Sequence, residues 1–344
     1  MLNVLIERIC AAGLGSGGGM AIAMALSMAI PTPAVAETPL TVVAFAGGSN
    51  WPIWVGQQQG FFARHGLALS LEFTPNSVEL VRNMMSGRYP LAMTAVDNVV
   101  AYQEDQGEVK LDQAPDLFAF MGGDTGFLNL MAQPEIGGIA DLRGKELSVD
   151  AMTTGFAFVL REILAQNGIS EGDVTFTAVG GGAQRLKALQ DHKQAATLLN
   201  TPLDLIAENT GAKRLAKAED VVGAYQGIVG VARRSWAAEH GDLVVAYLRG
   251  YRDSIEWLYD RNNRPAAVAL LVQKMQGMTP PLAEKIYDAL LADKGGLIRD
   301  LAVNMDGMKT VLALRSKYAE PKKTLSDPGR YLDMTFRTRA LGGS

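Results

Sequence analysis

The sequence has few of the residues from which catalytic and metal sites are commonly built. Its 344 residues include a single cysteine, Cys10, and three histidines, His65, His192 and His240. None of the histidines is spaced with Asp, Glu or Cys in the manner of metal ligands. There is also no G-x-S-x-G elbow, no phosphate-binding G-x-x-x-x-G-K-[ST] loop and no calcium loop. We therefore interpret the histidines as surface residues and find no sequence signature of catalysis.

Excess basic charge and long apolar runs are also absent. The formal net charge is −4 at pH 7, which argues against nucleic acid as a partner. After residue 36, no apolar run approaches the roughly 18 residues that a membrane-spanning helix requires. Hydrophobic residues make up 48% of the chain, and its length allows two domains or one large one, each with a substantial core.

The first 36 residues have the composition of a secretory signal peptide. Arg8 is the basic residue expected near the start of a signal peptide, residues 20–30 form an apolar run, and Ala34-Val35-Ala36 is a small-x-small cleavage site. We expect cleavage after Ala36, although translation from a later Met is an alternative. Cleavage would remove Cys10, and a chain without cysteine suits an oxidising compartment.

Residues 141–168 contain a strand, a polar turn and a helix in succession. The strand is predicted at 146–150, Thr153 or Thr154 is a candidate helix cap, and Gly168 is placed to end the helix. The apolar face of the helix is formed by Phe156, Val159, Leu160, Ile163 and Leu164. The pattern presents a helix N-terminus at the end of a strand, where open α/β sheets bind ligands, although many such helices are capped without a ligand.

Strands and helices alternate over most of the chain, which predicts mostly parallel sheets with helices on their faces. Strands are predicted at 41–46, 67–73, 90–96, 117–122, 127–133, 146–150, 174–179, 195–199 and 224–232. The first helices are predicted at 55–64 and from Ser77 onwards, and the chain after residue 244 is predicted to be helical.

Three segments in the same order resemble the solute-binding proteins of ABC transporters for sulfonates, taurine, nitrate and thiamine precursors. They are IWVGQQQGFFARHGLALSLEF (53–73), LVRNMMSGRYPLAMTAVDNVVAY (80–102) and DLRGKELSVDAMTTGFAFVLREILAQNGI (141–169). The resemblance implies an α/β, two-lobe, periplasmic-binding-protein-like (type II) fold with the ligand cleft between the lobes. The first lobe would comprise residues 37–135 and 227–344, and the second lobe residues 136–226.

The same resemblance implies an exported, monomeric protein of the periplasm. It would bind a small organic molecule, deliver it to a permease and ATPase complex in the inner membrane, and perform no catalysis, without a cofactor or metal. Two alternatives remain open. One is a pyrimidine-synthase-like or dehydratase-like enzyme on the same fold, although the synthases use a cysteine-rich segment and an active histidine. The other is a binding protein that serves a sensor or a different transporter.

Polar turns follow the predicted strands, and together with the resemblance they supply the candidate ligand-binding residues. These are Ser49, Asn50, Trp51, Asn76, Ser77, Asp97, Asn98, Thr153, Thr154, Gly155, Gly181, Asn200 and Thr201. Turn chemistry alone also favours Ser, Asn, Asp and Gly at such positions. Where sulfonate binders typically have Ser-Thr-Ala-His, this chain has Thr153-Thr154-Gly155-Phe156, so sulfonate, nitrate and taurine are not assigned.

The candidate residues suggest a ligand class. We expect Trp51 to stack on the ligand and Trp54 to pack into the lobe. Asp97 in the cleft would disfavour a purely anionic ligand, because an unpaired buried charge is costly. A flat nitrogen-containing or aromatic compound is therefore expected. The counter-interpretation is an anion held by helix N-termini and the amides of Gly181 and Gly182. Asp97 and Asp124 could also be imagined as an acid/base pair.

Overall fold

Two five-stranded sheets organise the part of the chain that the computed structural model describes, residues 36–292 and 296–342. The predicted signal peptide therefore lies outside the described residues, apart from Ala36. The strands are β1 (Thr38–Phe45), β2 (Leu67–Thr74), β3 (Leu91–Ala95), β4 (Leu117–Gly122), β5 (Leu128–Ala132), β6 (Glu146–Val149), β7 (Thr175–Ala178), β8 (Ala196–Asn200), β9 (Lys213–Lys217) and β10 (Ile228–Arg233).

The first sheet has the order β2-β1-β3-β10-β4 and the second the order β7-β6-β8-β5-β9. In the first sheet β1 pairs in parallel with β2 and β3, whereas β10 is antiparallel to β3 and β4. The second sheet repeats this arrangement, with β6 parallel to β7 and β8 and with β5 antiparallel to β8 and β9. Both sheets are mixed, and the predicted two-lobe α/β fold is confirmed.

Helices cover the faces of both sheets. They are α1 (Trp51–Gln58), α2 (Phe61–Arg64), α3 (Ser77–Met85), α4 (Val96–Gln103), α5 (Gly155–Gln166), α6 (Gly182–Gln190), α7 (Leu203–Asn209), α8 (Glu219–Val222), α9 (Arg234–Tyr259), α10 (Arg264–Lys274), α11 (Pro280–Leu290), α12 (Met305–Tyr318) and α13 (Thr335–Leu341). The single helix predicted at 55–64 is two helices, because Gly60 adopts a left-handed conformation with φ of 69°. None of the helices in the described residues is long and apolar enough to cross a membrane.

The chain passes between the sheets twice, and Asp124 joins the two passages. Its Oδ1 accepts hydrogen bonds from the backbone N–H groups of Gly126 and Ile228, both at 2.9 Å. The first passage lies between β4 and β5, whereas the predicted lobe boundary at residue 135 comes after β5, a strand of the second sheet. That boundary is therefore corrected to the segment between Gly122 and Leu128. The two adjacent connections form a candidate hinge.

Helix α12 packs against helices of both lobes. Met308, Val311 and Leu312 on this helix are buried in one hydrophobic cluster with Val159 and Leu160 of α5, which belongs to the second lobe. The same cluster includes Val100 of α4 in the first lobe. Because α12 spans the two lobes, its side chains can reach the cleft from outside the segment that carried the family resemblance.

Candidate functional site: a cavity between the lobes

A cavity lies where the ends of strands from both sheets meet, with an empty volume of about 660 Å³ that includes the part open to solvent. The first lobe contributes the loop after β1, the start of α4 and one residue of β10. The second lobe contributes the ends of β6 and β8 and the starts of α5, α6 and α7. The lining residues are Phe45, Ala46, Gly47, Gly48, Ser49, Ala95, Asp97, Asn98, Ile228, Asp150, Thr154, Gly155, Phe156, Gly181, Gly182, Arg185, Asn200, Pro202 and Leu203.

The two lobes touch around this cavity. The backbone N–H of Gly155, at the start of α5, donates to Asp97 Oδ2 of the first lobe at 2.6 Å. The backbone N–H of Gly181 donates to the carbonyl oxygen of Pro75 at 2.9 Å. Only glycine fits at position 155, because a Cβ there would lie 2.5 Å from Asp97 Cγ. The structure therefore shows the lobes in a closed arrangement.

The first turn of α5 is capped by the opposite lobe. Thr154 occupies the N-cap position, but its hydroxyl donates to the carbonyl oxygen of Ala151 at 3.1 Å and makes no capping bond. Asp97 supplies the missing acceptor for Gly155, so a carboxylate of the first lobe faces the positive end of a second-lobe helix. The prediction that a threonine hydroxyl caps this helix is wrong, whereas Gly168 does end it, with φ of 71°.

Asp97 also forms a fully buried ion pair with Arg315 of α12. Arg315 Nη1 lies 2.7 Å from Asp97 Oδ1 and 2.9 Å from Oδ2, and neither residue is more than 1% exposed. The remaining donors of the guanidinium bond to the Thr153 carbonyl and to Gln106. Asp97 is therefore not the unpaired charge that the sequence argument assumed, and its charge alone no longer argues against an anionic ligand. Its partners also do not include Asp124.

A second guanidinium reaches the cavity from α6. Arg185 is only 3% exposed; its Nε donates to the carbonyl oxygen of Gly180 at 3.1 Å, and its Nη1 donates to that of Leu198. Burial lowers the pKa of Arg185, and the charge of Asp150 acts in the opposite direction. The sequence analysis missed Arg185. The sequence does contain an indication that Arg185 is buried. It lies four residues before Leu189 and therefore on the same, buried face of α6.

Asp150, at the end of β6, faces the same cavity. Burial raises the pKa of its carboxyl group, while contacts with Ser77 and the charge of Arg185 act to lower it. Its Oδ1 is buried without a hydrogen-bond partner in the described part of the chain. Sequence reasoning treated Asp150 as the last residue of a strand and did not consider it for the site.

Comparison with known proteins places the chain in a family. A family model described as "NMT1/THI5 like" matches residues 49–264, more than half of the chain. The chain belongs to the NMT1/THI5-like family. No curated protein sequence matches it.

Solved structures share the fold at low sequence identity. The nitrate-binding protein NrtA of Synechocystis is 11% identical with a TM-score of 0.74, covering 89% of this chain and 89% of its own. A ligand-binding component of an ABC-type import system from Staphylococcus aureus is 14% identical with a TM-score of 0.70, over 89% and 100%. The alkanesulfonate-binding protein SsuA of Xanthomonas axonopodis is 16% identical with a TM-score of 0.66, over 82% and 93%.

Seven of the thirteen predicted ligand-binding residues line the cavity: Ser49, Asp97, Asn98, Thr154, Gly155, Gly181 and Asn200. Trp51 does not, and its predicted stacking on a ligand is wrong. The loop after β1 turns directly into α1, so Trp51 begins that helix with its ring fully buried, 5.8 Å from the ring of Tyr287. Trp54 packs into the lobe as predicted. The aromatic residues on the cavity are Phe45 and Phe156.

The other five predicted residues do not line the cavity, and two of them, Asn50 and Asn76, form hydrogen bonds within neighbouring loops. The Nδ2 of Asn50 donates to the carbonyl oxygens of Phe45 and Gly47. Asn76 Oδ1 caps α3 by accepting from the N–H of Glu79 at 2.8 Å. The other three are positioned elsewhere: the Thr153 hydroxyl donates to Glu108, Ser77 is buried facing Asp150, and Thr201 borders a different pocket.

Proposed function

We propose that this protein is the exported solute-binding component of an ABC importer. It binds a small organic molecule in the cavity between its lobes, opens and closes about the connections at Asp124, and delivers the molecule unchanged to a permease and ATPase complex in the inner membrane. Cleavage after Ala36 places the mature monomer in the periplasm. The observation that carries the proposal is the cavity itself, which is enclosed by both lobes and bordered by the N-termini of α4, α5 and α6.

The structural relatives support a binding role over catalysis. Those named above are described as binding proteins for nitrate and alkanesulfonates and as a component of an import system. No histidine or cysteine is among the described residues that line the cavity. No group of three or more His, Cys, Asp or Glu residues in the described chain is arranged to hold a metal ion. The enzyme alternative would therefore depend on carboxylates, and Asp97 is already engaged by Arg315.

The test is a thermal-shift screen of residues 37–344 with recovery of each bound compound. The panel contains amino acids, carboxamides, pyrimidines, aromatic acids, amines and sulfonates. A ligand at 100 times its dissociation constant adds about 2.7 kcal/mol to the free energy of unfolding. We expect at least one compound to raise the melting temperature and to be recovered unchanged. Recovery of a chemically altered compound would contradict the binding-protein function.

A pair of asparagines supplies the control for this screen. Asn200 borders the cavity at the end of β8, whereas Asn209 is exposed at the end of α7. Asn200→Ala should weaken binding of any hit, by about 5- to 10-fold for the loss of one or two hydrogen bonds. Asn209→Ala should leave the affinity unchanged. Equal affinities in the two variants would show that the hit binds elsewhere.

A further inference from the structure

The charged groups of the cavity point to the chemical class of the ligand. We propose that Arg185 and Asp150 together select a molecule that presents a hydrogen-bond acceptor beside an N–H donor and carries no net charge at that group. A carboxamide and an α-amino acid share this chemistry. The acceptor would bind Arg185 and the N–H would bind Asp150. The inference rests on the function proposed above, because it concerns the same cavity.

Arg185 supplies the donor side of the pair. Two of its three nitrogens are held by the carbonyl oxygens of Gly180 and Leu198, which fixes the guanidinium plane. The third, Nη2, has no hydrogen-bond partner among the described residues, and no described carboxylate lies within 4.0 Å of the group. The N–H groups of Nη2 are therefore available to a hydrogen-bond acceptor of the ligand, on a guanidinium that its other bonds hold in place.

Asp150 supplies the acceptor side. Its Oδ1 is buried and has no hydrogen-bond partner in residues 36–292 or 296–342. Carboxylate oxygens only accept hydrogen bonds when the group is ionised, so the complement of Oδ1 is an N–H or O–H of the ligand. Unlike Asp97, Asp150 makes no ion pair with a described residue.

Neighbouring groups favour a ligand that both donates and accepts. A Cβ added at Gly182 would lie 3.5 Å from Asn200 Oδ1 and 3.9 Å from Arg185 Nη2, so these two polar groups converge on one corner of the cavity. A free oxyanion there would bind Arg185 but would face the carboxylate of Asp150. An isolated cation would bind Asp150 but would be repelled by the guanidinium of Arg185. Phe45, Phe156 and Leu203 leave an apolar wall for the rest of the molecule.

The test measures occupancy of the cavity with four small probes: acetamide, glycine, acetate and methylammonium. Residues 37–344, labelled with ¹⁵N, are titrated with each probe while the resonances of the Arg185 Nε–H and the Gly182 backbone N–H are followed by NMR. We expect acetamide or glycine to shift both resonances saturably, with at least 10-fold tighter binding than acetate or methylammonium. Acetamide binding without glycine binding would identify a neutral amide-like group, and the reverse a zwitterion.

Two variants show whether the pair is responsible. Asp150→Asn should weaken the preferred probe at least 10-fold and reduce its advantage over acetate, because the acceptor charge is removed. Arg185→Lys should also weaken it at least 10-fold, because lysine lacks the planar fork of donors. Asp220→Asn changes an exposed residue of α8 and should alter neither the affinity for the preferred probe nor its advantage over acetate. If Arg185→Lys does not fold, Asp150→Asn alone decides.

The proposal is overturned if acetate or methylammonium binds as tightly as the two amphoteric probes, if no probe shifts either resonance at saturating concentration, or if Asp150→Asn leaves the preference unchanged. Because the experiment measures occupancy and not uptake or turnover, it can fail while the transport function stands. A failed transport function would instead be recognised by chemical conversion of a bound compound.

Discussion

Two combinations of an Asp that lines the cavity with an Arg, Asp97 with Arg315 and Asp150 with Arg185, differ in how completely their hydrogen bonds are satisfied. Asp97 and Arg315 form a direct ion pair in which every guanidinium nitrogen has a partner. Asp150 and Arg185 form no ion pair in the described chain; Asp150 Oδ1 is buried without a hydrogen-bond partner there, and only Nε and Nη1 of Arg185 donate hydrogen bonds. Because an unsatisfied buried polar atom is destabilising, a ligand that donates a hydrogen bond to Asp150 Oδ1 would gain affinity from satisfying it.

This difference distinguishes the Asp97–Arg315 pair, which has a structural role, from Asp150 and Arg185, which we propose bind the ligand. The Asp97–Arg315 pair joins three elements, since Asp97 is on α4, Arg315 is on α12, and each has a further partner at the start of α5: Gly155 donates to Asp97, and the Thr153 carbonyl accepts from Arg315. It therefore sets how the lobes meet. Asp150 and Arg185 both belong to the second lobe; Arg185 is held by carbonyl oxygens of that lobe, whereas Asp150 is contacted by Ser77 of the first lobe. Both charges are available to a ligand because no described residue forms an ion pair with either of them.

Removing the guanidinium of the satisfied pair should have the largest effect on stability. Arg315→Met leaves the buried carboxylate of Asp97 without its counter-charge, and breaking a buried ion pair typically costs about 3–5 kcal/mol. The free energy of unfolding is measured by urea denaturation. Arg330→Met is the matched control, because Arg330 pairs with Glu104 at 3.1 Å but its side chain is 60% exposed, and a loss under about 1 kcal/mol is expected.

Asp97→Asn combined with Arg315→Met should recover part of the lost stability, because the double variant buries no unpaired charge. If Arg315→Met cost no more than the surface control, the contrast between a structural pair and a ligand-binding pair would not hold.

Disturbing the contact between Asp97 and α5 should have an intermediate effect. In Gly155→Ala the new Cβ would lie 2.5 Å from Asp97 Cγ and 2.7 Å from the Tyr225 hydroxyl, so the lobes must separate or repack, at about 1–3 kcal/mol. Spin labels on the two lobes should report a larger distance between the lobes. Gly138→Ala is the control, because nothing lies within 4 Å of its added Cβ. An unchanged distance with normal stability would show that this contact does not set the closed arrangement.

The sequence predicted the elements well and the long-range pairings poorly. Alternating apolar segments located the strands of both sheets except β9, whose sequence KRLAK has the charged composition of an edge strand. The turn at Thr153 to Gly155 was placed correctly at the cavity. Arg315 was not considered for the site, because it lies 218 residues from Asp97 and no local pattern connects them.

The wrong and missing predictions at the cavity also arise because local sequence does not show contacts between distant residues. Trp51 follows a polar loop, and the local sequence does not reveal that α1 begins there and turns the ring into the core. Asp150 ends a strand and Arg185 lies in a polar helix, and both patterns are typical of solvated residues. Contacts between residues far apart in the sequence bury Arg185 and leave Asp150 only partly exposed. The tertiary structure therefore decides which charged side chains lack partners, and the local sequence does not reveal them.

The smallest effect on stability is expected for the unsatisfied carboxylate, and its sign depends on pH. Burial raises the pKa of Asp150 above its ordinary value of 3.8; Glu108 adds to this, while Ser77 and Arg185 oppose it. A raised folded-state pKa contributes stability that is complete below 3.8 and is lost as the pH rises through the folded-state pKa. Asp150→Asn does not titrate, so the stability of the variant relative to the wild type should increase as the pH rises through the folded-state pKa of Asp150.

Urea denaturation from acidic to neutral pH measures this difference, with the exposed Asp220→Asn as a variant that should show none. A loss of stability in Asp150→Asn relative to the wild type as the pH rises would mean that the folded chain stabilises the charged form of Asp150. In that case Asp150 would have a structural role, as Asp97 does, and of the two residues only Arg185 would bind the ligand. The ligand class would then shift from an amphoteric group to an anion.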